Sequence, residues 1–459
     1  MNIEYERLSP NNIEDILPLT QLQKSMIYSF LIDETSNKYF EQWRYKIKGL
    51  IKFESFVKAW NYVVENNELL RCVFRWHGLH EPLMIILKKR ELEIQKIDLK
   101  SKKNDDLQPA ADKIALKEWE QKVDLQENPI RIVFVALLND EYEMIITSHH
   151  IILDGWSNAI ILNELFKYYL LICKKEPIYL CNKSKYKEYL KYQKKINTQE
   201  SIDYWRKYLA GYRYRPLINI DDSIKKHSHT NIDKIHLNES SVNSLNEYCR
   251  ENNITLAALI CSALAMLCSK YQNSFDVMFG VTVSGRNINL NGVHETVGVF
   301  IKTLPLRMSF EETSKIISIL QEANKLLVEL ETHKNIENSD LMSISPDSFK
   351  ATLNVVLVIQ NYPVSELLLS KDSSVSIQLQ SSFYEIDSDI VIGVKAFGST
   401  IDVEISYKQT ICDFIKDFLQ DYPQILKQIT EKPNSTIKEV SVSQKQKVEM
   451  NLRKLDFTF

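Results

Sequence analysis

The chain has 459 residues, 44% of them apolar and 25% charged, with only 10 glycines and 12 prolines. That composition describes a folded chain long enough for two or three domains and excludes collagen-like or extensively disordered classes. A net charge of −3 supplies no global attraction to nucleic acid or an anionic membrane, so neither is expected as a partner.

Met1–Arg7 lacks a basic start leading into an apolar stretch, which speaks against a secretory leader. The segment Phe53, Phe56, Val57, Trp60, Val63, Val64 is apolar at helical spacing, with Glu54, Lys58 and Glu65 on the other side. Leu70–Phe74 reads as the start of a strand. Two apolar runs, Ile132–Leu138 and Tyr142–Thr147, flank Asn139-Asp140-Glu141 and predict a hairpin. It ends at His149-His150, and Asp154-Gly155 breaks the pattern before a helix whose one face carries Ile161, Leu165, Tyr168, Tyr169 and Ile172. Lys183–Lys195 mixes lysines with tyrosines, and Ala210–Asp233 has no period, which sets the main boundary near residues 180–210.

The second half predicts a helix from Leu245, a more apolar one over Thr255–Tyr271, and strands at Val277–Val283, Ala351–Gln360, Ile390–Phe397 and Ile401–Tyr407. A last helix, Ile411–Ile429, is expected to kink or restart at Pro423. The apolar segment Leu256–Leu267 is too short to span a bilayer and reads as a buried helix. Seven cysteines, odd in number and never at CxxC spacing, fit reduced thiols in a cytoplasmic setting rather than a disulfide framework or a zinc site. Each half mixes helices and strands without a countable repeat, so the fold class is α/β with two lobes.

The chemistry concentrates in His149-His150-Ile151-Ile152-Leu153-Asp154-Gly155-Trp156-Ser157. Adjacent histidines at a strand end point to opposite faces, so only one faces a given cleft. An imidazole suits proton transfer or hydrogen bonding near neutral pH. Asp154 can stabilise the turn that sets the histidine, and Gly155 permits a backbone conformation that other residues resist. A purely structural turn, or a metal site on the two histidines and Asp154, are the competing readings. No further Cys/His/Glu cluster supports a metal. No GxSxG elbow, phosphate loop or HExxH is present.

At this point the chain resembles the condensation domains of nonribosomal peptide synthetases, related to chloramphenicol acetyltransferase and other HHxxxDG acyltransferases. Pro18–Tyr28 is similar to the family's first motif, Glu68–Phe74 to its second, and His149–Ser157 to its third. Tyr186–Tyr189 with Tyr204–Gly211 stands in the place of the fourth, Gly280–Arg286 with Val297–Arg307 resembles the fifth, and Val356–Pro363 resembles a late strand. Ser25, Asn66, Asn67, Cys72 and Lys302 depart from these patterns, and no sixth motif stands out around His333–Asp340. The departures bear on acceptor or carrier specificity rather than on the reaction.

The resemblance implies two acetyltransferase-like lobes, 1–180 and 205–459 joined by 181–204, forming a V-shaped pseudo-dimer with a tunnel, and a crossing segment near 377–397. It implies that His150 is catalytic, as a general base or by positioning the amine, while His149 is structural. It pairs Asp154 with Arg286 and gives Gly155 a place beside the tunnel. Trp156, Ser157, Arg71 and Arg307 are candidate substrate or pantetheine contacts.

The implied reaction is attack of an amine on a carrier-bound thioester, in a monomer without an intrinsic cofactor. The substrates ride on the phosphopantetheine of a donor carrier protein and of an acceptor carrier, or the acceptor is a free amine. The alternatives are an epimerisation domain, a non-catalytic recruitment module and an acyl-CoA-dependent acyltransferase. Between Met1 and Phe459 no adenylation or carrier segment is read, which is expected of a free-standing enzyme or of one excised from a larger synthetase.

Overall fold

A computed structural model describes residues 8–33, 37–121, 123–181, 183–218, 230–360, 375–386, 388–397 and 400–443. Met1–Arg7 and Asn361–Pro363, both used above, lie outside them.

The first part of the chain forms β1 (Ile13–Pro18), α1 (Gln21–Ile32), β2 (Phe40–Lys48), α2 (Phe53–Asn66), β3 (Cys72–Arg75), β4 (Leu83–Leu87), β5 (Ile94–Asp98), α3 (Asn104–Glu120), β6 (Ile130–Ala136), β7 (Glu141–His149), α4 (Gly155–Lys174) and α5 (Tyr186–Lys195). With two later stretches, Arg286–Phe300 and Tyr362–Glu385, this makes one compact unit. Its main sheet has the order 376–384, β2, β7, β6, β5, and β1, β4 and β3 make a smaller one.

The continuous apolar runs of β6 and β7 follow from burial on both faces. Ile132, Phe134, Met144 and Ile146 join the core containing Phe56, Trp60 and Leu165. Val133, Val135 and Ile145 pack with Leu107, Ala111 and Ala115 of α3. Asn139 and Asp140 both take positive φ, 55° and 53°, the conformation that matches a tight turn to the strands' twist.

The segment expected to begin a strand at Leu70 behaves differently. Glu68–Arg71 is a 3-10 turn, and the strand starts at Cys72. Leu69 and Leu70 are both fully buried, which strand alternation would not allow against a single core.

The second unit comprises Asn197–Gly285, Ile301–Asn361 and Ile386–Phe459. It contains α6 (Gln199–Tyr208), β8 (Thr230–Leu237), α7 (Glu239–Glu251), α8 (Leu256–Gln272), β9 (Asp276–Val283), β10 (Lys302–Ser309), α9 (Ile316–Thr332), α10 (Asn338–Ile344), α11 (Pro346–Asn354) and β11 (Val355–Gln360). The chain then supplies β12 (Ser376–Tyr384) to the first unit and returns as β13 (Ile390–Phe397), β14 (Thr400–Lys408) and α12 (Cys412–Glu431). One sheet, in the order β10-β9-β11-β13-β14-β8, carries this unit. Helix α8 is buried along almost its whole length.

Three expectations change here. Ala351–Asn354 is helical, because Pro346 sits at the first turn and Ser345 caps it, accepting from the Ser348 N–H. Helix α12 runs through Pro423 without restarting, its buried stripe of Phe418, Tyr422, Ile425 and Ile429 holding both sides of the missing hydrogen bond. The segment 377–397 is divided: β12 pairs with β2, whereas β13 pairs with β11 and β14. Among the described residues, no single helix is long and apolar enough to cross a membrane.

Candidate active site

Strand pairing places the two histidines. Phe40 lies opposite His149 in the β2–β7 ladder, and the His150 N–H donates to the Tyr39 carbonyl, 2.7 Å. His149 is completely buried, its ring edge-on to Phe40. Its Nδ1 accepts the Ile151 N–H at 3.0 Å, and its Nε2 has no partner. Burial, with the neighbouring His150 charge, pushes the imidazole down to about 3.

An unfolded His149 takes a proton below about pH 6.5 while the folded one stays neutral, so stability is lost as pH falls from there towards 3. Between pH 7 and 5 this costs about 2 kcal/mol. His149→Asn, which can still accept from Ile151, is expected to lose that much less than wild type in urea titrations at the two pH values.

His150 faces the other way, with 19% of its side chain exposed. Its Nδ1 lies 2.6 Å from the Leu153 carbonyl. A carbonyl only accepts, so Nδ1 carries the hydrogen and Nε2 is left as the free basic atom. The loop is itself held: the buried Gln23 amide donates to the Ile151 carbonyl at 2.9 Å. Gln23 also closes a capping box with Thr20 at the start of α1. Nε2 points to Glu41 of β2, whose Oε1 is 3.7 Å away. Burial lowers the His150 pKa, but Glu41 and the Leu153 hydrogen bond outweigh it, and the net direction is upward.

The structure brings Asp154 and Arg286 together, Nη2 to Oδ1 3.0 Å, each side chain 1% exposed. Asp154 caps α4, accepting from the Ser157 N–H at 2.8 Å, and its Oδ2 accepts the Phe300 N–H at 3.1 Å. Arg286 also donates to the Val293 and Thr296 carbonyls and to Ser157 Oγ, and lies over the Phe300 ring. Gly298 joins through its N–H to Ser157 Oγ, 3.0 Å. A Cβ there would stand 2.7 Å from the Tyr186 ring, so the approach requires glycine.

Other candidates are placed elsewhere. Gly155 opens α4 as an ordinary helical residue and is not among the positive-φ glycines Gly49, Gly78, Gly211 and Gly292. Its expected special conformation is therefore not used. Ser157 is fully buried, its hydroxyl committed to Asp154, Gly298 and Arg286, which removes it as a substrate contact. Trp156 packs against the first unit's core, and its indole N–H donates to the His294 carbonyl. Arg71 is buried against Glu14 and the Val64 and Leu87 carbonyls. Arg307, in the second unit, forks onto Asp276 and reaches the Tyr208 and Ala210 carbonyls. Both guanidinium groups are occupied structurally rather than presented to a phosphate. Among the described residues, no group of three or more His, Cys, Asp or Glu side chains is arranged to hold a metal.

Three residues here, Thr20, Gln23 and Glu41, had no assigned role from sequence. Thr20-x-x-Gln23 is a capping-box signal legible in one dimension. Glu41 carries no local signal, since only the β2–β7 register brings it to His150.

Solved structures define the class of this fold. The first condensation domain of the calcium-dependent antibiotic synthetase, in complex with a substrate analogue, superposes with a TM-score of 0.79 at 14% identity, covering 94% of this chain and 100% of that one. The starter condensation domain of rhizomide synthetase, a mutant in complex with C8-CoA, gives 0.78 at 16% identity over 93% and 98%. The chain belongs to the condensation domain family, whose model matches residues 13–450.

Among curated relatives, bacitracin synthase 3 of Bacillus licheniformis is 25% identical over 95% of this chain. Bacitracin synthase 1 of the same organism is 29% identical over 80%, and surfactin synthase subunit 3 of Bacillus subtilis is 24% identical over 95%. The alignments span 7% of each bacitracin synthase and 34% of the surfactin subunit.

Proposed function

We propose that the chain catalyses amide-bond formation between an amine and an acyl or aminoacyl thioester carried on phosphopantetheine. The amine lone pair attacks the thioester carbonyl carbon, His150 Nε2 takes a proton from the amine nitrogen, the C–S bond breaks, and the pantetheine thiolate leaves with that proton. The observation that carries this reading is the Leu153 hydrogen bond, which fixes the tautomer with Nε2 free for proton transfer. Glu41 and the Leu153 hydrogen bond raise the His150 pKa against the effect of burial, so turnover should climb with pH as the imidazolium gives up its proton.

The donor arrives on a carrier protein, and the acceptor is carrier-bound or a free amine. Family membership and the intact HHxxxDG turn support condensation over a recruitment module. The test is incubation of the protein with an acylated carrier and either an aminoacyl carrier or a free amine, with products read by mass spectrometry. Amide product is expected. Stereochemical scrambling alone would indicate an epimerase, transfer only from acyl-CoA an ordinary acyltransferase, and no turnover a recruitment role.

A further inference from the structure

The face of the β2–β7 ladder that carries His150 also carries a carboxylate. Cross-strand partners share a face, and residues two apart along a strand do as well. Ser148 pairs with Glu41, so Glu41, Ser148 and, one step past the strand, His150 lie on one side, opposite to Phe40 and His149. The Glu41 side chain is 14% exposed and its Oε1 is 3.7 Å from His150 Nε2. Its other oxygen, Oε2, is buried without a hydrogen-bond partner.

A buried acidic group with one oxygen against the basic nitrogen and one oxygen unused is poorly explained as a packing residue. Asp154, the other carboxylate near His150, is paired with Arg286, which leaves Glu41 as the acidic group at Nε2; burial raises its pKa and the His150 charge opposes that rise. The titratable groups around the pair are His149, on the opposite face of the same strand end, Asp154 at the α4 N-terminus, and Tyr45 on β2, whose hydroxyl is engaged by Asn158.

We propose that Glu41 is the positioning residue of His150, keeping Nε2 aimed at the reacting centre and balancing the imidazolium that forms when Nε2 takes the amine's proton. Its part in turnover rests on the function proposed above. The coupling between the two side chains does not. Glu41 thus gives this site a carboxylate–imidazole dyad assembled from two strands, in which the orienting hydrogen bond comes from the Leu153 carbonyl and the charge partner sits on the reacting side.

Both can be read separately. The ring of His150 is titrated by NMR in isotopically labelled full-length protein without substrates, in wild type, Glu41→Gln and Glu41→Asp. Loss of the carboxylate is expected to move the His150 titration to lower pH, because burial then acts with less opposition, and Glu41→Asp is expected to restore most of the difference. In the amide-forming assay Glu41→Gln should lower the plateau rate about tenfold, equivalent to one lost transition-state interaction. Its acid limb should shift to lower pH, with KM for the donor little changed.

An unmoved His150 titration in folded Glu41→Gln overturns the proposal, as does a lowered rate with an unshifted limb. Should Glu41→Gln not fold, His150→Gln reads the coupling from the other side, and the Glu41 carboxyl must then titrate at higher pH. If wild type forms no amide, the proposed function fails while the titrations still decide the dyad.

Discussion

Asp154→Ala is expected to destabilise the first unit by about 3–5 kcal/mol, because it leaves the Arg286 guanidinium buried without its counter-ion. The loss should exceed that of a helix cap alone, about 1 kcal/mol. Asp154 does three things at once: it accepts from the Ser157 N–H as the α4 cap, takes the Phe300 N–H, and pairs with Arg286. Arg286→Ala should cost a similar amount, since it strips the Val293 and Thr296 carbonyls of their donors as well. The double variant should cost less than the sum of the two, because neither charge is then stranded. Thermal melts followed by circular dichroism check this, with a drop on the order of 10 °C for each single variant. A drop of one or two degrees would mean that water reaches the pair.

His150→Ala tests the chemistry without the fold. The ring is partly exposed and makes one side-chain hydrogen bond, to Leu153, worth about 1 kcal/mol, so the variant should melt close to wild type. Removing a general base lowers turnover by roughly 10²–10⁴-fold. The rate of amide formation from an acylated carrier, measured under single-turnover conditions, should fall within that range. Near-wild-type turnover would exclude proton transfer by Nε2.

Much of the site could be read in one dimension because its chemistry is local. His149 and His150 at a strand end, Asp154 at a helix cap and the hairpin before them are short-range patterns, and the alternation of strand side chains already separated the two rings. The choice of Arg286 as partner came from family resemblance, since no spacing rule joins positions 132 residues apart.

What escaped has a common cause. Arg71 and Arg307 were suggested as ligand contacts because a motif arginine has free donors on paper. In the fold, backbone carbonyls and Glu14 or Asp276 take them. Glu41 went unnoticed because its meaning depends on a register between β2 and β7 that lies about a hundred residues away. Leu70 and Ala351–Asn354 differ from expectation for the reverse reason: short apolar runs suit strand and helix alike until the core selects one.

The insertion of β12 into the sheet beside β2 bears on how this protein is born. Chain synthesis delivers β2 early, but its edge partner emerges only after residue 376, and Arg286 arrives between them. At ribosomal speeds the interval from Ile196 to Glu385 lasts ~10–40 s. Throughout it, the nascent first unit carries an unpaired strand edge, a feature that invites association with other chains, and for the first half of it Asp154 also waits for its cation. Shielding during translation, by a chaperone or by the rest of the nascent chain, is the corresponding requirement in the cell.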